Sequence, residues 1–383
     1  MSTIKILHIT PDNQFFDEPY NLFKKDIRFT NHAISIVDKQ DYHFKYIRSQ
    51  EIKTVCNKRA IREVLEKSDY DVVFLYSFPP KNWWVVDYIS KSKIIIWWMW
   101  GYDVYFGYKG SIPFLNIELY KPKTKFLIKT RQTNLHYIIS QTILYCFKTY
   151  MKYRSVNVLS RIDFFQPVLP MEFQMMKKNN NFKAMEFYYP SSLTSFSYSY
   201  QHHSPDGAIL IGNSATFTNN HIDVIESILN IRNKRKIILP LNYGDKNYAD
   251  DLDKKYNSTE NVQIIKDFLP KDEYYTLIDN CSYALFGVLR QQAMGNIYYC
   301  LEKGIKVFLY KDSLPYRNLK ELGFRVFAIE EMTSDSFIPL TQDDYDCNYK
   351  AFNKEIRRRN IILEEAIGII KKKISGNLRN VGN

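Results

Sequence analysis

Short apolar runs recur along the chain, separated by stretches long enough for a helix. In the first half they read IKILHI, DVVFLYSF and KIIIWWMW, with a helix predicted near 57–67 between the first two. This is the βαβ rhythm of a parallel sheet. Periodicity lapses over PSSLTSFSYSYQHHSPDGA, 190–208, where Ser, Pro and His read as an exposed interdomain linker. The second half resumes a clearer alternation. AILIG is a strand, NNHIDVIESILNI a helix with Ile222, Ile225, Ile228 and Leu229 on one face, and RKIILPL the next strand. VQIIKDF then precedes a helix over about 271–280, SYALFGV a helix over about 293–303 closed by Gly304, and IKVFLY a short helix to Gly323 before FRVFAI. A final amphipathic helix, IRRRNIILEEAIGIIKKKI, is expected to pack back toward the first domain. The pattern predicts two α/β domains, 1–195 and 206–360, followed by a helix and tail over 361–383.

At 383 residues the chain can bury two cores. Its 45% hydrophobic and 25% charged residues exclude a fibrous or wholly disordered protein. Aromatic residues, 16% with 30 Tyr and 25 Phe, are the outlier. Rings with polar tips suit sugars, nucleobases and the lipid interface, and half-buried strands favour them too. The net charge of +12 points to an anionic partner: phosphates, an anionic membrane face or nucleic acid. That charge is concentrated. From Tyr108 to Arg154, Lys109, Lys121, Lys123, Lys125, Lys129, Arg131, Lys148, Lys152 and Arg154 stand against a single acid, Glu118. No recognised RNA or DNA motif accompanies the patch, which argues against nucleic acid. Cys56, Cys146, Cys281, Cys300 and Cys347 are odd in number and form no CxxC, so a reducing cytosol is expected rather than a disulfide framework or zinc site. MSTIKILHITPDNQ lacks the regions of a signal peptide, and LHYIISQTILYCF, 135–147, is too short and too polar for a membrane span.

In open α/β sheets ligands bind beyond the carboxyl ends of the strands, so the residues just after each strand carry the chemistry. After AILI comes Gly212-Asn213-Ser214, with Thr218-Asn219-Asn220-His221 opening the next helix. The glycine permits a tight turn and the helix start offers amides to an anion; the plainer reading is a βα turn with Thr218 or Asn219 as N-cap. Tyr243, after RKIILPLN, is placed to lie against a base or sugar, or merely to cover the strand end. After SYALFGV, Arg290, Gln291 and Gln292 bring a guanidinium and two amides to a helix N-terminus, where a diphosphate leaving group would be stabilised without a metal. Asp69-Tyr70-Asp71 lies at a strand start, the wrong end for a ligand, and Asp344-Tyr345-Asp346 reads as a polar loop. P-loop, GxSxG and HExxH motifs are missing. The stretch IWWMWGYDVY places three of the five tryptophans before Gly101 and Asp103 at the end of a strand, and reads as a site.

These stretches resemble the 4-acetamido-4,6-dideoxy-D-galactose (Fuc4NAc) transferases, glycosyltransferase family 56. The family's W-x-x-W-G-x-D-x-Y appears as Trp97, Trp100, Gly101, Asp103 and Tyr105, and its G-N-S-x(4)-N-x-H as Gly212, Asn213, Ser214, Asn219 and His221. Its R-Q-Q-x-x-G appears as Arg290, Gln291, Gln292 and Gly295. The resemblance runs from the first strand to about residue 332, with departures at Trp98, where the family usually has His, and at Ala215, Thr216 and Ala293. It implies the GT-B fold, two Rossmann-like domains facing across a cleft, with the nucleotide on the second and the acceptor on the first. The implied donor-binding residues are Gly212, Asn213, Ser214, Asn219, His221, Tyr243, Arg290, Gln291, Gln292 and Gly295; the acceptor-binding ones are Trp97, Trp98, Trp100, Gly101 and Tyr105. Asp103 is the first candidate for general base, with His8 and Asp12 as second candidates. The expected reaction moves a Fuc4NAc-like sugar from TDP to a polyprenyl-diphosphate-linked saccharide with inversion, needing no metal or other cofactor. Segment 108–154 would meet an anionic membrane, placing the protein peripherally on the cytoplasmic face of a bacterial inner membrane. A GT-B sugar-nucleotide epimerase and a non-catalytic sugar-nucleotide binder are the alternatives.

Overall fold

The computed structural model describes residues 3–13, 15–39, 41–105, 115, 117–131, 153–189, 196–198, 200–231 and 233–380. The chain forms two compact units. The first comprises Met1–Asn116, Gln141–Thr194 and Ile356–Asn383, and the second Ile117–Ser140 and Ser195–Glu355.

In the first unit the apolar runs become β1 (Ile4–Thr10), β4 (Val72–Tyr76) and β5 (Ile94–Trp98), joined by β2 (Phe29–Ile36), β3 (Lys53–Val55), β6 (Phe164–Gln166) and β7 (Met185–Glu186). The order is β3-β2-β1-β4-β5-β6-β7 and every pairing is parallel. Strand order reverses between β1 and β4, which sets this sheet's switch point at their carboxyl ends. Helix Lys58–Lys67 starts where expected, because the Asn57 side chain accepts a hydrogen bond from the Ala60 N–H at 2.8 Å. One face of the sheet is an aromatic core of Phe16, Tyr20, Phe23, Phe74, Tyr76, Trp98 and Phe164. Leu363, Ala366, Ile367 and Ile370, spaced along one face of the last helix, are buried in the same core. That helix runs Gln342–Asn380, longer than its apolar periodicity indicates, and Asp344 and Asp346 lie in its first turns rather than in a loop.

In the second unit β8 (Ala208–Ile211), β9 (Ile237–Pro240), β10 (Val262–Ile265), β11 (Cys281–Phe286), β12 (Lys306–Leu309) and β13 (Phe327–Ala328) form a parallel sheet of order β10-β9-β8-β11-β12-β13. Order reverses between β8 and β11, so the loops after these two strands flank the switch point. The inner strands β8, β9, β11 and β12 are buried on both faces, as continuous apolar runs require.

The basic stretch after Tyr108 departs from the expected single membrane-facing patch. Helix Pro122–Arg131 belongs to the second unit, where Leu127 packs against the core. Its start is capped from another helix, His221–Asn230: Asp223 accepts from the Lys123 N–H at 2.9 Å, the Thr124 N–H at 3.0 Å and the Thr124 hydroxyl at 2.7 Å. Most cations in and just before it are paired. Lys121 meets Asp312 at 2.9 Å, Lys125 meets Glu118 at 3.0 Å, Lys123 pairs with Glu226 and Arg131 with Asp251. In the first unit Arg154 pairs with Asp87. Lys109, Lys148, Lys152 and the run 135–147 lie outside the described residues. Among the described residues no helix is long and apolar enough to cross a membrane.

Exposed ion pairs contribute little, so the cap matters more than the charges. Asp223→Ala should lower unfolding stability by about 1–2 kcal/mol, measured by urea denaturation, whereas Arg131→Ala should change it by less than about 1 kcal/mol.

Candidate functional site

The tryptophan-rich end of β5 is built around one carboxylate. Asp103 is fully buried. Its Oδ2 accepts from the Phe78 N–H at 2.9 Å and the Trp97 indole N–H at 2.8 Å, and its Oδ1 from the Trp100 N–H at 3.0 Å. Burial raises its pKa against these bonds. Gly101, at φ 96°, makes the turn that returns Asp103 to the strand end. Trp97 and Trp98 occupy successive strand positions and so point to opposite faces. Trp97 packs on Phe78 and Phe165, and Trp98 on Phe74 and Tyr76. Tyr105 is buried and donates to Glu172, whose other oxygen accepts from the Val168 and Leu169 N–H groups at 3.1 and 2.7 Å.

This geometry corrects the acceptor-binding role expected for Trp97, Trp98, Gly101 and Tyr105. Trp97, Trp98 and Tyr105 are core residues, and Gly101 is buried with them; Trp100 alone of the group's rings is half-buried, against exposed Phe15 and against Tyr76. Asp103 is bound by three donors and holds the turn, which is not the setting of a general base facing an acceptor. His8 is also fully buried. Its Nδ1 meets the Tyr76 hydroxyl at 3.1 Å and its Nε2 the Asn31 Oδ1 at 2.9 Å. Burial lowers its pKa to about 4, the Asn31 bond opposing. Asp12 accepts from the Tyr42 hydroxyl at 2.9 Å and from the N–H groups of Lys45, Tyr46 and Ile47 at 2.7, 3.1 and 3.0 Å. Partial burial would raise its pKa, but these bonds together hold it below the ordinary range. It fixes the 45–47 loop.

In the second unit the two remaining motifs meet. Gly212, the first residue after β8, has φ +67°, and a Cβ there would sit 2.6 Å from His221 Nε2 and 3.2 Å from Asn219 Oδ1. Asn219 donates to the Ser214 carbonyl at 2.9 Å and to Thr216 Oγ1 at 2.9 Å, which folds the Gly212–Ser214 loop onto the helix start. Across the switch point, Thr218 donates to Gln292 Oε1 at 2.6 Å and Gln292 Nε2 donates to Thr216 Oγ1 at 3.0 Å. The loops after β8 and β11 are thus one hydrogen-bonded unit. Ala293, at φ 57°, starts helix Met294–Glu302, with Gly295 open to solvent in its first turn. Arg290, half-buried, donates to the Gln291 carbonyl at 2.6 Å. Tyr243 stands 56% exposed at the end of β9, and its carbonyl accepts from the Ala215 N–H at 2.6 Å. Ser214 is buried and Asn213 half-buried. His221 and Asn219 are fully buried, so they shape the loop from beneath; burial lowers the His221 pKa to about 3.

Sequence reasoning passed over Thr216, counted only as a departure, and Asn220, counted only as part of a helix start. Asn220 is fully buried at φ 49° and donates to the carbonyls of Gly287 at 2.7 Å and Leu119 at 3.2 Å. The local signal is an Asn just before a helix, the residue type that best tolerates the left-handed region after glycine. The two DxD stretches have structural partners. Asp71 accepts from the Lys5 N–H at 3.0 Å, and Asp346 from the Tyr198 hydroxyl at 2.8 Å and Gln342 at 2.9 Å.

A sequence model of the 4-alpha-L-fucosyltransferase glycosyl transferase group 56 family matches residues 127–350, more than half of the chain. The chain belongs to that family. The match contains the Gly212 and Arg290 motifs but begins after the tryptophan motif, so its extent differs from the resemblance read along the sequence. Among solved structures, the N-terminal domain of Candida albicans trehalose-6-phosphate phosphatase is 8% identical at TM-score 0.60, covering 97% of each chain. The alpha,alpha-trehalose 6-phosphate synthase of Burkholderia multivorans is 5% identical at TM-score 0.59, covering 100% of this chain and 99% of the other. Anabaena HepE, in complex with UDP-glucose, is 11% identical at TM-score 0.51, covering 98% and 100%. The fold is GT-B, and this family 56 member is a glycosyltransferase.

Two predictions follow from the buried groups. In Asp103→Asn the amide nitrogen must face one of the three N–H donors, so stability should fall by about 2 kcal/mol, read as a lower urea midpoint; an unchanged midpoint would return Asp103 to chemistry. His8 and His221 are protonated near pH 6.5 when unfolded but only near 4 and 3 when folded. The stability they contribute is therefore present above pH 6.5 and is lost as pH falls through that window, by at most about 1.4 kcal/mol per pH unit for each. Urea melts from pH 7 to 4 should show this slope, reduced by roughly half in His8→Gln.

Proposed function

We propose that this glycosyltransferase moves a Fuc4NAc-like deoxyamino sugar from a TDP-sugar to a hydroxyl of a polyprenyl-diphosphate-linked saccharide in bacterial surface polysaccharide synthesis. The observation that carries the reading is the joining of the Gly212–Ser214 and Arg290–Gln292 loops through Thr216, Thr218 and Gln292 at the switch point of the second unit's sheet. Switch points are where doubly wound sheets take their ligands. The same fold in Anabaena HepE accompanies UDP-glucose.

In the proposed reaction the acceptor oxygen bonds to the anomeric carbon as the carbon–oxygen bond to the diphosphate breaks, inverting the centre. The electron pair leaves with the diphosphate, and the hydroxyl proton passes to solvent or a base. Charge develops on the leaving oxygens, so the protein's contribution lies there. The Arg290 guanidinium offers several donors to those oxygens, and the start of helix Met294–Glu302 adds its unpaired amides and dipole, so no metal is needed in this scheme. Gly295 leaves the approach to that helix open. Exposed Tyr243 would lie against the base or sugar. On the first unit, Trp100 and Phe15 supply the aromatic surface for the acceptor saccharide. Since Lys121, Lys123, Lys125 and Arg131 are paired with acids of their own unit, peripheral attachment to the inner membrane's cytoplasmic face would draw on Lys129 and the rest of the 108–154 segment.

TDP at about 100 times its dissociation constant should stabilise the protein by about 2.7 kcal/mol, seen as a raised melting temperature, with UDP and GDP giving less. Arg290→Ala should abolish the shift. Equal stabilisation by all three nucleotides, or none by any, would refute the TDP-sugar assignment.

A further inference from the structure

Residues 117–121 belong to the second unit although they come early in the chain. Two bonds from one buried amide pin them there. Asn220 Oδ1 accepts from the Lys121 N–H at 2.8 Å, and its Nδ2 donates to the Leu119 carbonyl at 3.2 Å. The same Nδ2 donates to the carbonyl of Gly287, the first residue after β11, at 2.7 Å. Lys121 continues over the end of β12, with Nζ 4.2 Å from the centre of the Tyr310 ring and 2.9 Å from Asp312. Tyr120, between two anchored neighbours, is thereby held at the carboxyl edge of β11 and β12, where the Arg290 loop begins. Its ring is half-buried, and the Arg290 charge acts on its phenol, opposing the upward effect of burial on its pKa.

A guanidinium offers only donors, and a neutral phenol has one donor of its own. Donors gathered at one strand end suit an anion with several oxygens, and a diphosphate has them. We infer that the Tyr120 hydroxyl donates a hydrogen bond to the donor's diphosphate beside Arg290, so that Tyr120 is a nucleotide-binding residue supplied by the segment ahead of helix Pro122–Arg131. This rests on the nucleotide-sugar reading above. It adds a contact outside all three sequence motifs, and it gives the docking of 117–121 on the second unit a role in the reaction.

The test compares full-length wild type, Tyr120→Phe and Arg290→Ala, using TDP by isothermal titration and thymidine by saturation-transfer NMR. Tyr120→Phe should weaken TDP binding about 10–150-fold, the size of one hydrogen bond to a charged group. It should change thymidine binding less than about twofold and leave the ligand-free melting temperature unchanged, a pattern that disturbed packing would not give. Wild-type affinity for TDP in Tyr120→Phe, alongside its loss in Arg290→Ala, would overturn the inference alone. Equal weakening of TDP and thymidine would overturn it too. Failure of wild type to bind TDP would remove the nucleotide-sugar reading and this inference with it.

Discussion

The second unit's carboxyl edge depends on the side-chain amide of Asn220. A buried amide costs several kcal/mol if left without partners and becomes a precise connector when its groups are engaged. Asn220 binds the backbone at Leu119, Lys121 and Gly287, joining a segment a hundred residues earlier to the end of β11. Because it sits in the left-handed region directly before helix His221–Asn230, it also sets where that helix starts. Asp223 on the first turn then caps helix Pro122–Arg131. Positions of both candidate nucleotide loops follow from this arrangement, since Asn219 is one residue before it and Gly287 opens the loop that leads to Arg290.

Longer strands buried on both faces were legible, because β4, β5, β8 and β9 are continuous apolar runs. β2 carries Asn31 and His32 in its middle and shows no such run, yet Asn31 is there to bond His8, a pairing that only the folded sheet reveals. β6 and β7 are too short for any period to register. Helix ends were legible where the cap is local, as at Asn57 and at Gly323, which has φ 94°. Where the cap is remote, as Asp223 is for Pro122–Arg131, the segment read as a free basic surface. Charge counted along a sequence cannot see acids that arrive from elsewhere in the fold, and Asp312, Glu226 and Asp251 all do.

The tryptophan motif shows how a pattern can be read correctly and its purpose misread. Its residues do converge, but on Asp103 and into the core, because alternation along β5 sends Trp97 and Trp98 to opposite buried faces. An indole N–H and two backbone N–H groups on one carboxylate form a bond set that no hydrophobic replacement could reproduce. Such a site is specific in sequence for structural reasons. The residues of the other two motifs divide differently. Arg290, Tyr243 and Gly295 keep exposed surface, while Asn219 and His221 are sealed beneath them.

That sealed layer explains the glycine of the second motif. His221 Nε2 and Asn219 Oδ1 have no hydrogen-bond partner among the described residues, and both lie within 3.2 Å of the point a Gly212 Cβ would occupy. Any side chain at 212 would be strained by its backbone and would collide with the imidazole. The glycine therefore does two things at once. It lets the chain turn immediately after β8, and it brings the loop's backbone down onto a polar floor whose histidine is kept neutral by burial. A neutral floor adds no fixed charge beneath the loop, so the positive potential at this strand end is set by Arg290 and the helix start, where an anionic leaving group would need it.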